Sequence, residues 1–304
     1  MLIKPPHKLG RLPLNMLAPN IITVFALCSG LTAIRFAIQE QWKFAILAIA
    51  LAAVLDSLDG RVARLLKGSS RFGAELDSLS DFLCFGVAPG MVLYFWSLHG
   101  LGNGNTGWFV VLAFSTCTAL RLARFNTALD DPGKPVWTGS FFTGIPSPAG
   151  AGLALMFMIL GLEVDSDFLR SPWLNGPWAL LIGGLMVSRV PTYSFKRVKV
   201  KREAVPLVLL GVGVLAALLL NEPWYTLFLL GAAYLATMPF SFRGYEKLRR
   251  GDAATAAAAA APAEQTQTQA QAQAQAELPA EASAQTDQRG DQAGDQPSDQ
   301  PRLH

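Results

Sequence analysis

The chain has 304 residues, of which 51% are hydrophobic and only 15% are charged, and its formal net charge is +3. This composition excludes an ordinary water-soluble domain and predicts a membrane protein, while the small net charge argues against nucleic acid as a partner. The three cysteines, Cys28, Cys84 and Cys117, lie in apolar runs without CxxC spacing. They are therefore predicted to be buried, unpaired thiols rather than zinc ligands.

About eight mostly apolar stretches follow one another along the chain, each long enough to cross a bilayer as a helix. Their approximate limits are 20–38, 44–66, 77–98, 107–127, 145–162, 173–190, 204–220 and 223–240. Charged residues interrupt the second and third. The predicted fold class is all-α: a polytopic membrane bundle of about eight transmembrane helices.

Lys and Arg residues concentrate in alternate loops between these stretches. The basic segments are 4–11, 61–71, 121–134, 196–202 and 243–250. By the positive-inside rule these segments and both termini face the cytoplasm, and an even number of spans agrees with that orientation. The predicted location is a bacterial inner membrane.

Composition divides the chain into three parts. Residues 1–19 are predicted to be a cytoplasmic N-terminal segment, and residues 20–250 a membrane catalytic domain. Residues 251–304 consist mainly of Ala, Gln, Pro, Asp and Glu. Because such a composition lacks the apolar residues of a packed core, this part is predicted to be a disordered, low-complexity cytoplasmic tail.

Four aspartates stand at the edge of the second and third spans. Asp56 and Asp59 are three residues apart, and Asp77 and Asp81 are four apart, so each pair lies on one face of a helix. Two such ladders can face each other across the turn between the spans. Clustered carboxylates repel one another near a membrane, and hard divalent cations would relieve this repulsion while binding phosphate.

Residues 56–64 match the pattern D-x-x-D-G-x-x-A-R. After eight further residues, residues 73–81 match G-x-x-x-D-x-x-x-D. The pattern resembles the signature of the CDP-alcohol phosphatidyltransferase family. The resemblance implies about six core membrane helices, a homodimer, a CDP-lipid donor and Mg²⁺ or Mn²⁺, with two ions per site. It also implies that Asp56, Asp59 and Asp77 are metal ligands, and that Asp81 is both a ligand and the general base.

The same resemblance implies a set of residues that contact the CDP-lipid. Gly60 and Ala63 leave room beside the carboxylates, and the Pro19-Asn20-x-x-Thr23 segment is similar to the family's nucleotide-facing entry, although a helix cap explains Asn20 nearly as well. The predicted CDP-lipid-binding residues are Asn20, Thr23, Gly60, Ala63, Arg64 and Ser70.

Two further segments, 121–126 and 142–150, resemble family members that use L-serine as acceptor and CDP-diacylglycerol as donor. The predicted acceptor-binding residues are Arg121, Arg124 and Asn126. Alternatives remain at this point. The arginines are also suited to fixing topology or binding glycerol 3-phosphate, as in phosphatidylglycerophosphate synthases. Outside the family, the alternatives are a cation transporter that uses the aspartates and a membrane scaffold.

Overall fold

The structure is a computed structural model that describes residues 14–66, 68, 70–129, 141–164, 166–188, 190–193 and 202–238. Most of the predicted N-terminal segment and the whole predicted tail, 251–304, lie outside these residues. Residues 14–19, which were assigned to that N-terminal segment, belong to the first helix.

The described chain is a succession of helices joined by short connections. The first half contains α1 (Leu14–Ile38), α2 (Trp42–Leu66), α3 (Arg71–Phe82), a π-helical turn (Leu83–Val87), α4 (Ala88–Trp96), two 3₁₀ turns (Leu98–Gly100 and Gly102–Gly104) and α5 (Asn105–Leu129). The second half contains β1 (Phe141–Thr143), α6 (Ser147–Ala154), α7 (Met156–Gly161), α8 (Asp167–Arg170), α9 (Pro172–Val187), β2 (Pro191–Tyr193), a 3₁₀ turn (Arg202–Ala204), α10 (Val205–Asn221) and α11 (223–238).

The prediction of an all-α membrane bundle is confirmed. Among the residues that the structure describes, three helical segments are long and apolar enough to cross a bilayer: Leu17–Ile38, Arg71–Trp96 and Asn105–Thr127. The other predicted spans fall on α2, which carries charged residues, and on the shorter helices α6, α7, α9, α10 and α11. Their crossing of the membrane stays a prediction.

The predicted span 145–162 is not one continuous helix. It divides into α6 and α7 at Leu155, where the backbone ψ is 0°. Two short strands that the apolar pattern did not predict flank this region, and β1 pairs antiparallel with β2, with Phe142 opposite Thr192. Gly144 follows β1 at φ 79°, where a Cβ would clash with the carbonyl oxygen of Met186. A glycine there lets the start of α6 lie against the end of α9.

Small residues allow close packing of α1 with its neighbours. Ala33 on α1 and Ala52 on α2 are fully buried between the helices. Gly30 lies against the π-helical turn, where a Cβ would come 2.6 Å from the Cys84 sulfur. Small side chains are the usual means of close helix packing in membranes. The cysteine prediction holds for Cys84, which is buried, but it is wrong for Cys28, which is exposed on the outer face of α1.

Candidate active site

Four carboxyl groups meet where the C-terminal part of α2 lies beside α3. One ligand oxygen from each of Asp56, Asp59 and Asp77 lies within 4.8 Å of the others. Asp81, one turn further along α3 than Asp77, shares a side-chain hydrogen bond with Asp56. The prediction that the two ladders face each other is confirmed, and we call these four residues the carboxylate cluster.

The turn between α2 and α3 brings the two ladders together. At the end of α2, the backbone N–H of Gly68 donates to the carbonyl oxygen of Ala63 over 3.1 Å. Ser70 then caps α3, because its backbone is extended and its hydroxyl oxygen accepts a hydrogen bond from the N–H of Gly73 at 3.0 Å. The carboxylates on the second half of α2 come within reach of those on α3.

Thr23 connects α1 to the carboxylate cluster. Its buried hydroxyl lies 2.7 Å from Oδ2 of Asp59 and 3.1 Å from the carbonyl oxygen of Pro19. A hydroxyl has one proton to donate, and the shorter distance favours the carboxylate. Thr23 therefore holds the side chain of Asp59, which is itself only 5% exposed. Direct contact of Thr23 with the CDP-lipid stays a prediction.

Asn20 lies one turn before Thr23 and faces the beginning of α3. A Cβ on Gly73 would come 2.6 Å from the Asn20 side-chain oxygen and 3.2 Å from the Ser70 hydroxyl oxygen. The glycine that precedes Asp77 in the motif is therefore needed for the approach of Asn20 to α3. The predicted contacts of Asn20 and Ser70 with the CDP-lipid are not tested by this geometry and stay predictions.

The surface of α2 next to the carboxylate cluster is open. A Cβ on Gly60 would meet a single atom within 4 Å, Nη1 of Arg64 at 3.6 Å. Arg64 is exposed, and its long side chain can move aside. Gly60 and the half-buried Ala63 therefore leave space in which a substrate can approach the carboxylates.

A buried arginine lies on the other side of Asp81. Arg121 on α5 is 8% exposed, and its Nη1 donates to the hydroxyl oxygen of Ser147, at the start of α6, over 2.6 Å. The guanidinium also interacts electrostatically with Asp81 and with Tyr234 of α11. Within the described chain, no acceptor faces its buried Nε. We call Arg121, Ser147 and Tyr234 the Arg121 pocket.

The other two predicted acceptor residues are engaged with the protein. Arg124 donates through Nη1 to the carbonyl oxygen of Val187 at 2.8 Å and through Nη2 to that of Ser188 at 2.9 Å. These bonds satisfy carbonyl groups at the end of α9. Asn126 donates through Nδ2 to the hydroxyl oxygen of Ser78 at 2.8 Å and so ties α5 to α3.

Comparison with known sequences decides the family. A sequence model of the family described as CDP-alcohol phosphatidyltransferase matches residues 16–190, which include the carboxylate cluster and Arg121. A second, described as CDP-alcohol phosphatidyltransferase 2, matches residues 203–239, which include α10 and α11. The chain belongs to the CDP-alcohol phosphatidyltransferase family.

Individual relatives of the family span bacteria and archaea. The chain is 40% identical over 223 residues to the CDP-diacylglycerol–serine O-phosphatidyltransferase of Mycobacterium leprae, with 73% of each chain covered. The enzyme of the same name from Helicobacter pylori is 36% identical over 203 residues, 66% of this chain and 82% of that relative. The one from Methanocaldococcus jannaschii is 40% identical over 168 residues, 55% of this chain and 72% of that relative. The resemblance seen in the sequence is confirmed.

CDP-alcohol phosphatidyltransferases use divalent metal, and the carboxylate cluster fits such an ion. Carboxylate oxygens are the ligands that hard divalent cations prefer, and opposite ligands of a Mg²⁺ ion lie about 4.2 Å apart. The separation of up to 4.8 Å among the oxygens of Asp56, Asp59 and Asp77 is close to that span. Small side-chain rotations would bring all three oxygens onto one cation.

Sequence reasoning did not single out two residues of the Arg121 pocket. Ser147 lies between two prolines in the Gly-Ile-Pro-Ser-Pro segment, and nothing in that segment marks its hydroxyl as a partner of Arg121. Tyr234 lies in the last apolar stretch, where nothing in the periodicity separates it from its neighbours. Because Arg121 and Ser147 are 26 residues apart, no helical spacing links them in the sequence.

Proposed function

We propose that this chain transfers the phosphatidyl group of CDP-diacylglycerol to the hydroxyl of L-serine, giving phosphatidylserine and CMP. The observation that carries the proposal is a buried, incompletely bonded arginine that interacts electrostatically with Asp81 of the carboxylate cluster. The three relatives described above carry the name of this activity. The membrane bundle suits a donor whose acyl chains stay in lipid.

Asp56, Asp59, Asp77 and Asp81 would hold the metal, which in this proposal is Mg²⁺ or Mn²⁺ in a two-ion site. When bound, the ions supply charge neutralisation for the diphosphate and for the departing CMP. Thr23 orients the side chain of Asp59, a proposed metal ligand, through its hydrogen bond. The proposed contacts with the CDP-lipid come from Asn20, Thr23, Gly60, Ala63, Arg64 and Ser70.

Asp81 is the proposed general base. The serine hydroxyl oxygen forms a bond to the phosphorus that carries the diacylglycerol, the bond from that phosphorus to the CMP oxygen breaks, and the serine hydroxyl proton passes to Asp81. No covalent enzyme intermediate is needed. Asp81 suits this role because it interacts electrostatically both with the carboxylates of Asp56 and Asp77 and with the guanidinium of Arg121.

Arg121 is the proposed partner of the serine carboxylate. That carboxylate would be repelled by the aspartates, and a guanidinium offsets the repulsion with directed donors. Ser147 accepts a hydrogen bond from Nη1 and so orients the guanidinium, while Nε has no acceptor among the described residues. In this proposal Arg124 and Asn126 act as positioning residues, since their hydrogen bonds fix α5 against α9 and α3.

The proposed setting is a bacterial inner membrane, with the active site and both termini facing the cytoplasm, where the water-soluble acceptor is supplied. A homodimer is proposed from the family resemblance. Glycerol 3-phosphate is the second candidate acceptor, because the Arg121 guanidinium can also bind a phosphate.

An acceptor screen tests the proposal. Purified protein is given CDP-diacylglycerol, Mg²⁺ or Mn²⁺, and either L-serine, glycerol 3-phosphate or myo-inositol phosphate, and CMP release and the lipid product are measured. We expect serine to give CMP and phosphatidylserine, and EDTA to abolish both. Turnover with glycerol 3-phosphate alone would select the second candidate, and full activity without divalent metal would contradict the mechanism.

A further inference from the structure

The first turn of α11 lies beside the end of α7. Trp224, in that turn, is buried, and Nζ of Lys43 lies 5.6 Å from the centre of its ring. The same Nζ lies 3.4 Å from Oε1 of Glu163, which follows α7. A cation that contacts both an aromatic face and a carboxylate holds the start of α11 next to the residues that end α7.

Two turns further along, α11 packs against the junction of α6 and α7. A Cβ on Gly231 would come 3.4 Å from the sulfur of Met156 and 3.5 Å from Cδ2 of Leu153. Met156 begins α7 and Leu153 belongs to the last turn of α6. The path from Trp224 to Gly231 therefore follows α7 backwards, so α11 runs antiparallel to α6 and α7. Its next turn extends towards the start of α6.

Tyr234 lies on the inner face of that next turn. It is three residues beyond Gly231 and so on the same side of α11, it packs against the hydrophobic core, and its hydroxyl oxygen is buried. The antiparallel direction brings it towards Ser147, the first residue of α6, which accepts the hydrogen bond of Arg121. The electrostatic interaction between Tyr234 and the Arg121 guanidinium agrees with this position.

Contacts from two helices orient the Arg121 guanidinium better than one contact does. A guanidinium held only by Ser147 can rotate about that single hydrogen bond, and a second contact from α11 restricts the rotation. A phenol is neutral at pH 7, so Tyr234 can do this without cancelling the positive charge that a carboxylate ligand requires. Because a guanidinium binds a carboxylate through a planar set of donors, its orientation decides how well the carboxylate is bound.

We propose that Tyr234 is a positioning residue for acceptor selection, and that α11 is thereby part of the acceptor site. This inference rests on the proposed function, in which Arg121 binds the serine carboxylate. It extends the acceptor site beyond residues 16–190, which match the first family model, into residues 203–239, which match the second. The carboxylate cluster and this selecting element then belong to different matched regions of the chain.

Removal of the Tyr234 hydroxyl tests the inference. Tyr234→Phe keeps the ring and its packing. Because ethanolamine lacks the carboxylate of serine, we expect the ratio of kcat/KM for serine to that for ethanolamine to fall about fivefold. The KM for CDP-diacylglycerol and the unfolding temperature should not change. Tyr225→Phe is the matched control and should leave the ratio unchanged, because Tyr225 is a tyrosine of the same helix that is 42% exposed.

A double-mutant cycle with Arg121 distinguishes positioning from a packing defect. If Tyr234 acts through the guanidinium, Tyr234→Phe should change the ratio by less than about twofold in the Arg121→Lys background, because the planar group that it orients is gone. An unchanged ratio in Tyr234→Phe alone, an equal fall in Tyr225→Phe, or the same fivefold fall in the Arg121→Lys background would overturn the inference. Absence of serine-dependent CMP release from the unaltered protein would instead overturn the proposed function, and the inference with it.

Discussion

The carboxylate cluster and the Arg121 pocket are built in different ways. The cluster gathers four acidic groups from two consecutive helices joined by a short turn, and α1 supports it through Thr23. The pocket joins α5, α6 and α11, and it offers one guanidinium with two neutral hydroxyl-bearing neighbours. The first arrangement is suited to cations and the phosphates they bind, and the second to one small anion. In the proposed function, donor chemistry and acceptor selection would therefore be carried by separate parts of the site.

The largest effect should follow from replacing the proposed base in the carboxylate cluster. We expect Asp81→Asn to lower kcat about 10³-fold with little change in CDP-diacylglycerol binding, because general-base catalysis is lost while the other carboxylates remain. Glu75→Gln is the control, since Glu75 is an exposed acidic residue of the same helix. Parallel loss of donor binding and turnover would assign Asp81 to metal binding alone.

A pair of glycine substitutions separates substrate space from helix packing. Gly60→Ala meets only the flexible Arg64 side chain, so the protein should keep or gain stability, up to about 1 kcal/mol from helix propensity. Its KM for CDP-diacylglycerol should nevertheless rise about tenfold, because the methyl group occupies substrate space. Gly30→Ala, which clashes with Cys84, should lower the unfolding temperature instead. Unchanged donor kinetics in Gly60→Ala would show that the space over Gly60 is not used.

The two parts of the site also differ in how far the sequence could predict them. The four aspartates lie within one motif, and helical spacing places each pair on one face, so their meeting could be predicted. The contact of Thr23 with Asp59 joins residues 36 positions apart, and that of Arg121 with Ser147 joins residues 26 apart. Periodicity within a helix carries no information on such contacts, because they depend on how helices pack.

The fold, too, could be predicted from the sequence only within each helix and not where helices pack together. Apolar length was enough to predict the helices, yet it missed the break at Leu155 and the pairing of β1 with β2. The strands pair next to a close approach of the start of α6 to the end of α9, where Gly144 has a positive φ. The hydrogen bonds of Arg124 to the end of α9 likewise could not be predicted, because they cross 63 and 64 positions of sequence. The predicted contact of Arg124 with the acceptor stays a prediction.

A smaller effect is expected in the Arg121 pocket when its buried hydroxyl is removed. Ser147→Ala should raise the KM for serine about fivefold without changing the KM for CDP-diacylglycerol, because a hydrogen bond worth about 1 kcal/mol no longer orients the guanidinium. Ser115→Ala is the matched control, because Ser115 lies on α5 and its hydroxyl donates to the backbone carbonyl oxygen of Gly86, outside the pocket. Equal changes in serine KM in both variants would indicate a general packing defect.

The smallest effect should follow from removing the tail. Truncation after Arg250 should leave kcat/KM for both substrates within about twofold of the full chain, since the tail composition offers neither a core nor catalytic spacing. The measurement is specific activity of the purified, folded protein. A large loss of activity would contradict this prediction and show that the tail contributes to donor or acceptor use.

The separation of donor chemistry from acceptor selection is tested most directly by the preference for serine over ethanolamine, which is serine without its carboxylate. The measurement is the ratio of kcat/KM for the two acceptors in the unaltered protein, in Arg121→Lys and in Arg124→Lys. We expect the ratio to fall about tenfold in Arg121→Lys, since a lysine keeps the charge but loses the directed donors. Arg124→Lys should lower stability and leave the ratio unchanged, because Arg124 bonds the end of α9. An unchanged ratio in Arg121→Lys, with donor binding weakened instead, would contradict the account and assign Arg121 to the diphosphate.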